Sequence, residues 1–405
     1  MERRYDIDWL RVIAIILVLY FHVAMIFTAE WDFHIKNPET SNLWLEFNFW
    51  LSRFRMPLLF FISGAGSFFA LRKRSGKQFV SERASRLLIP LIFSMFFIVP
   101  PQLYFERLLD GDFTGSFGAF YLTKVLQFIP YPEGNFSWHH MWFVLYLFWY
   151  SVLAAPLFLF LKSEKGQKLM DKLTFMEKGP WIYLIALPTV LVYMFWTIRF
   201  DRTNDLIHDY GWFPYWMSFF VMGYFVALKE GFWESLARNA RTSLGWAVLL
   251  IVVINTFRWN RWEPWVLYGE EWSSHAWALM YRALYPILGW AWLFAALGYG
   301  RKYLNRPHPV LSYANRGIYP FYILHQTILI MLGYYVIQVE ESILAKYLFV
   351  STITFFLCIA IYEYLIRPFA IMRFLFGLKS AKLPKEETTT DKETSPVEKA
   401  QLQLV

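Results

Sequence analysis

Arg11 and His22 are the first two side chains in this sequence placed to do chemistry together. Both lie in an apolar run, Asp8–Ala29, that is long enough to cross a bilayer, and eleven residues separate them. Eleven residues make close to three helical turns, so both side chains point the same way, roughly 16 Å apart along the axis. Ionisable groups inside a bilayer are expensive and mark a working site by default. The spacing suits a molecule whose charged end sits at one membrane surface while its reactive end reaches toward the other. The plainer readings are a neutral core histidine and an inner-surface anchor, with Arg11 salt-bridged to Asp8 one turn away.

A second constellation is Arg53-Phe54-Arg55-Met56-Pro57. Residues two apart on a helix point about 200° apart, so a regular helix cannot aim both guanidiniums at one ligand. The Pro57 ring clashes with the carbonyl four residues back, which is that of Arg53. The expectation is therefore a helix kinked or unwound at the arginine pair, near the level of His22. Otherwise the two are interfacial arginines snorkelling to headgroups.

Other polar residues interrupt apolar runs: His139 and His140, His325 in Tyr322-Ile323-Leu324-His325-Gln326, and Glu363 near Arg367. Buried groups of this kind need partners, so His140, His325, Glu363 and Asp8 are candidates for the polar wall of one cavity. Ser63-Gly64-Ala65-Gly66 reads as a close-packing surface for a neighbouring helix. No metal-ligand spacing, phosphate loop or nucleophile elbow is visible, so no metal and no permanently bound cofactor is expected.

The elements that must hold these residues are transmembrane helices. Of the 405 residues, 57% are hydrophobic and 21% aromatic, which excludes an ordinary soluble domain. Apolar runs give an all-α, polytopic bundle of about ten helices. They are expected near Asp8–Ala29, Trp44–Leu71, Leu87–Tyr104, His140–Leu161, Trp181–Phe200, Trp212–Leu228, Ser243–Thr256, Trp277–Gly298, Leu311–Ile337 and Leu344–Ile366. No cleavable signal peptide is expected, the first run being too long. The single cysteine, Cys358, allows no intrachain disulfide and no thiolate cluster.

The net charge of +8 does not point to nucleic acid, because the basic residues follow topology. They crowd into alternate loops: Arg3 and Arg4, Arg72 to Arg86, Lys162 to Lys178, and Arg301 to Arg306. The opposite loops are mixed or acidic, as at Asp110/Asp112 and Glu270/Glu271. The positive-inside rule then puts both termini in the cytoplasm, Arg11 near the inner surface and His22 toward the outer one. Residues 1–378 form the membrane domain, and 379–405, rich in Lys, Glu, Thr and Pro, form a disordered cytoplasmic tail.

Arg11-x10-His22 and Arg53-x-Arg55 resemble the two arginine motifs of the acyltransferase-3 family of integral membrane acyltransferases. The likeness continues through Phe60-Phe61-Ile62-Ser63-Gly64, Arg83-x-x-Arg86-Leu87-x-x-Pro90, His140-Met141-Trp142-Phe143 and Tyr322-Ile323-Leu324-His325-Gln326. Phe54-Arg55-Met56-Pro57 and the closing Tyr362-Glu363 to Phe376 look closest to the branch that succinylates periplasmic glucans.

The resemblance implies transfer of an acetyl or succinyl group from cytoplasmic acyl-CoA to a hydroxyl of an extracytoplasmic glycan or lipid-linked sugar. It also implies a bacterial cytoplasmic membrane. Some members carry a further esterase-like domain; none is expected in this chain, which would then finish the reaction itself or hand the acyl group to a separate extracytoplasmic transferase. Ester formation needs a base and cationic donors for the oxyanion. His22 fits the first, Arg53 and Arg55 fit the second, and Arg11 fits a contact to the anionic parts of coenzyme A. A transporter or flippase for a glycan or small anionic solute is the rival reading, since it too places ionisable residues in broken helices. Against it stand the lack of a visible inverted repeat and the position of both arginines toward one side.

Overall fold

The computed structural model describes residues 3–378, and the expected tail lies outside them. Among the described residues the chain is helical, with two isolated bridges, Thr28 to Ser41 and Pro130 to Phe136, in place of strands. Each expected span falls on a helical segment. These are α1 (Tyr5–Met25), α2 (Asn42–Leu71), α3 (Gly76–Asp110), α4 (Trp142–Lys162) and α5 (Gly179–Arg199). Then follow α6 (Trp212–Ala227), α7 (Ala240–Trp259), α8 (Ala276–Tyr303), α9 (Pro309–Val336) and α10 (Ile343–Ile361).

Eight of these segments are long and apolar enough to cross a membrane. The other two are α6, which has only 16 residues, and α9, whose hydropathy is held down by its tyrosines, His325 and Gln326. Both are wrapped by neighbours, which is where a short or polar helix can be tolerated in lipid. The third span is not one regular helix. It passes through a π turn at Ala84–Leu88 and breaks before Pro100, whose missing N–H suits the first turn of a new segment.

The core of the bundle is α1 and α2. The first packs against α2, α8, α9 and α10, and the second against α6 and α8 as well. Glycine makes the α2–α6 contact close. A Cβ at Gly64 would lie 1.8 Å from the Phe220 carbonyl oxygen, and one at Gly223 would lie 1.9 Å from that of Phe61. Backbone thus meets backbone in both directions, as small residues permit in membranes. The expected packing role of Ser63–Gly66 is met at Gly64.

Pro57 does not have the expected effect. The helix runs unbroken from Asn42 to Leu71 with the proline inside it. The Arg53 carbonyl, deprived of its usual donor, faces α8, where a Cβ at Gly289 would lie 2.9 Å away. Tolerance of proline in membrane helices depends on such neighbours, and here the helical turn survives.

The segment after α1 folds back over its end. Lys36 donates its ammonium to the carbonyls of Met25 at 3.0 Å, Trp31 at 2.9 Å and Thr28. These include carbonyls that a helix end leaves unsatisfied. Burial lowers the Lys36 pKa, and Asp32 opposes that shift. Thr28 returns a hydrogen bond to Ala24 at 2.7 Å, and Asn48 of α2 donates to Thr28 at 3.1 Å.

Candidate functional site

Helix α1 carries Arg11 and His22 on one side, as the spacing requires, and each meets a different set of neighbours. At the Arg11 end, the guanidinium lies 3.6 Å from Asp8, which Arg3 also holds at 3.0 Å. Arg11 also faces α2: a Cβ at Gly66 would touch its Nη2 at 4.0 Å. Arg83 reaches Ser67 of the same helix at 3.0 Å, so two cations flank one turn of α2. Arg11's side chain is 36% exposed, so this end is open to a ligand.

At the other end His22 meets α9. Its Nδ1 lies 2.9 Å from Nε2 of His325, and the two rings stack with centroids 5.2 Å apart. The hydrogen positions follow from the next link. Nδ1 of His325 is 2.6 Å from the Tyr322 carbonyl, which can only accept, so that nitrogen holds the proton. In neutral His325, Nε2 is then an acceptor, and His22 Nδ1 must donate to it. The lone pair of His22 is left on Nε2, which has no protein partner among the described residues.

His140, at the start of α4, completes the cluster. Its ring lies edge-on to His325 with centroids 5.4 Å apart, and its Nε2 donates to the Ile323 carbonyl at 3.0 Å. Tyr322 donates its hydroxyl to the His140 carbonyl, tying α9 to α4. Gln102 of α3 contacts His140 Nδ1 at 3.4 Å and accepts from Gln326 at 3.2 Å. His22, His325 and His140 are therefore brought together.

Arg55 lies beside them. Its guanidinium sits 3.2 Å from the ring centroid of Phe21, the neighbour of His22. Its charge acts on both His22 and His325. The residue is 9% exposed, yet Nε and Nη1 have no hydrogen-bond partner among the described residues. A buried cation without a counter-ion is costly unless something else supplies the partner.

Arg53 goes elsewhere. It bonds to Phe49 O at 3.2 Å and Ser52 Oγ at 2.9 Å, and stacks on Phe49 and on Tyr285 of α8. With the helix intact at Pro57, the two arginines part as regular geometry dictates, and the expected paired aim is not realised. Arg202, from the segment before α6, lies over Trp142, Trp212 and Trp216, and its field reaches both arginines. As one arginine in a mixed loop, it carries no signal in the sequence.

Two further expectations resolve differently. Glu363 lines no shared cavity with the histidines; it pairs with Arg367 at 2.6 Å, one turn on, at the end of the last span. Asp8 belongs to the Arg11 end alone. Sequence reading also passed over Gln102 and Glu106, four apart on α3 and both buried; that spacing in an apolar run was the available signal.

The sequence matches the Acyltransferase domain family known as acyltransferase-3 over residues 4–363. Among curated relatives, Glucans biosynthesis protein C of Salmonella heidelberg (strain SL476) is 21% identical over 390 residues, covering 93% of this chain and 95% of that protein. The proteins of the same name from Salmonella agona (strain SL483) and Salmonella paratyphi A (strain ATCC 9150 / SARB42) give the same identity and coverage. No solved structure matches.

Proposed function

The chain belongs to the acyltransferase-3 family and is a multi-pass membrane acyltransferase, and on that premise we propose that it moves an acetyl or succinyl group from cytoplasmic acyl-CoA to a hydroxyl of an extracytoplasmic glycan or lipid-linked sugar. It works in the bacterial cytoplasmic membrane with both termini inside, an orientation that rests on the basic loops. The relatives are named for glucan biosynthesis, which favours a glucan acceptor.

The single observation that carries the reading is a base and an unpaired cation side by side. His22 Nε2 holds a bare lone pair, and the Arg55 guanidinium beside it has unfilled donors. In the proposed reaction the acceptor oxygen attacks the thioester carbonyl carbon as its proton passes to His22 Nε2. The C–O bond forms, and the carbonyl oxygen takes the negative charge. Arg55 is the donor for that oxyanion. The tetrahedral intermediate collapses with cleavage of the C–S bond. The departing thiolate takes the proton from His22, leaving an ester and free coenzyme A. His325 accepts from His22 Nδ1 throughout and holds the ring in the working tautomer.

Arg11, with Arg83 near it, supplies the contact to anionic groups of coenzyme A at the inner end. The unfilled donors of Arg55 at the reacting end favour an acyl group that ends in a carboxylate, so succinyl over acetyl. Purified protein in proteoliposomes, given radiolabelled acetyl- or succinyl-CoA and a glucan, tests the reading. Label should pass to the glucan, with succinyl preferred. Hydrolysis of the thioester without acylated glucan would point instead to a separate protein that completes the transfer.

A further inference from the structure

Beside the histidine cluster lies a second group of ligand-type side chains that the acyl transfer does not use. His34 comes from the segment between α1 and α2, Glu106 from α3 and His139 from the turn before α4. One ligand atom of each lies within 4.8 Å of the other two. We propose that His34, Glu106 and His139 form a divalent metal site, with zinc the ion that best fits two imidazoles and one carboxylate.

The donors are well disposed. Glu106 is 5% exposed and its carboxylate contacts His34 Nδ1 directly. The His34 and His139 rings lie with centroids 4.6 Å apart. Nε2 of His139 is buried with no hydrogen-bond partner among the described residues, while its Nδ1 is 3.3 Å from Ser137 Oγ. With the proton on Nδ1, donated to that hydroxyl, Nε2 is a bare lone pair among the other two ligands. His139 also has a φ of +38°, a strained value for a side chain with a Cβ, which is held in place only by its surroundings.

The second nitrogen of His34 accepts from the Gln326 amide at 3.2 Å, which fixes the ring and puts the His34 proton on Nδ1, toward Glu106. An ion bound at Nδ1 replaces that proton, which moves to Nε2 as the Gln326 amide turns its oxygen to accept it. Gln326 follows His325 in the chain, so the ion would pin the segment after α1, α3 and the start of α4 directly behind the catalytic cluster. Two histidines and a glutamate with a fourth position left over is a zinc donor set. The ligands come from three distant stretches, so sequence spacing led to the opposite expectation, that no metal would be held.

The test uses the full-length protein in detergent, stripped with chelator and titrated with zinc alone, followed by metal analysis after desalting. Cobalt replaces zinc in a parallel sample, where tetrahedral coordination gives strong visible bands. One zinc per chain and tetrahedral cobalt bands in the wild type are expected. Glu106→Gln and His139→Ala should each weaken binding by more than about a hundredfold, beyond the roughly tenfold to hundredfold typical of an outer-shell change. Gln326→Ala should fall in that smaller range. Zinc uptake by the wild type no greater than in the variants, or cobalt without those bands, would overturn the site. The wild-type spectrum decides the matter even if a variant fails to fold.

Discussion

The two ends of α1 carry one cation-rich cluster each, and they treat their charges in opposite ways. Around Arg11 the charges are paired and partly open: Asp8 is shared by Arg3 and Arg11, and Glu82 by Arg74 and Arg86. Around His22 the cluster is deep: His22 donates to His325, His325 and His140 bond to backbone carbonyls of α9, and Arg55 has donors that no protein group accepts among the described residues. Paired surface charges contribute little and exchange partners readily, which suits a site that binds and releases an anion. A buried unpaired guanidinium can act on charge that develops there, where water does not compete. On the proposed reading, the difference separates holding from reacting along one helix.

That contrast predicts a hierarchy of losses. The largest belongs to His22→Ala, which removes the only free imidazole lone pair of the cluster. Transfer should fall by about 10²–10⁴-fold, the range of a positioned acid–base group, while insertion and expression stay near wild type. Wild-type turnover in a normally inserted variant would remove His22 from the role of base.

Arg55→Lys comes next. Lysine keeps the charge but not the planar fork of donors, so kcat should fall by about 10²–10³-fold with KM for acyl-CoA little changed. Arg53→Lys sharpens the comparison, because Arg53 already has protein acceptors and stacks on Tyr285. Its loss should be at least tenfold smaller than that of Arg55→Lys, by the same reasoning. Equal losses in the two variants would return them to a working pair.

His325 tests the tautomer. His325→Ala frees the His22 ring and should cost about a hundredfold, the scale of a small misplacement near the chemistry. His325→Gln, which can accept through its amide oxygen, should recover part of that loss. An alanine variant as active as glutamine would show that the hydrogen bond does not set the ring.

The smallest effect is expected at the open end. Arg11→Ala should weaken acyl-CoA binding by about tenfold, the low end of a charge-assisted contact worth about 1.5–3 kcal/mol, because the side chain is partly exposed and shared with Asp8. Acceptor KM should not move. A drop in kcat at saturating donor would place Arg11 in the reaction step and erase the distinction between the ends.

Much of this was legible in the sequence, for identifiable reasons. Arg11 and His22 share a helix face by spacing alone, and helix periodicity needs no tertiary knowledge. His140 and His325 stood out as polar residues in apolar runs, which lipid makes costly. Pro57 misled, because its effect depends on a neighbour: α8 offers Gly289 opposite the Arg53 carbonyl, and no local rule contains that. Glu363 misled for the reverse reason, its charge partner Arg367 being one turn away on the same segment. The grouping of His34, Glu106 and His139, and the reach of Arg202, depend on how loops fold over the bundle. Their sequence distances carry no trace of it.

The central claim is that donor contact and chemistry sit at opposite ends of α1, with the acyl group passing between them. The most direct measurement uses proteoliposomes holding protein of known orientation, with acyl-CoA supplied on one side only and acceptor glucan on the other. The account predicts acylated glucan when acyl-CoA is on the side of Arg11 and glucan on the side of His22, and none in the reverse arrangement. Equal transfer in both arrangements, or transfer only with acyl-CoA on the His22 side, would contradict it.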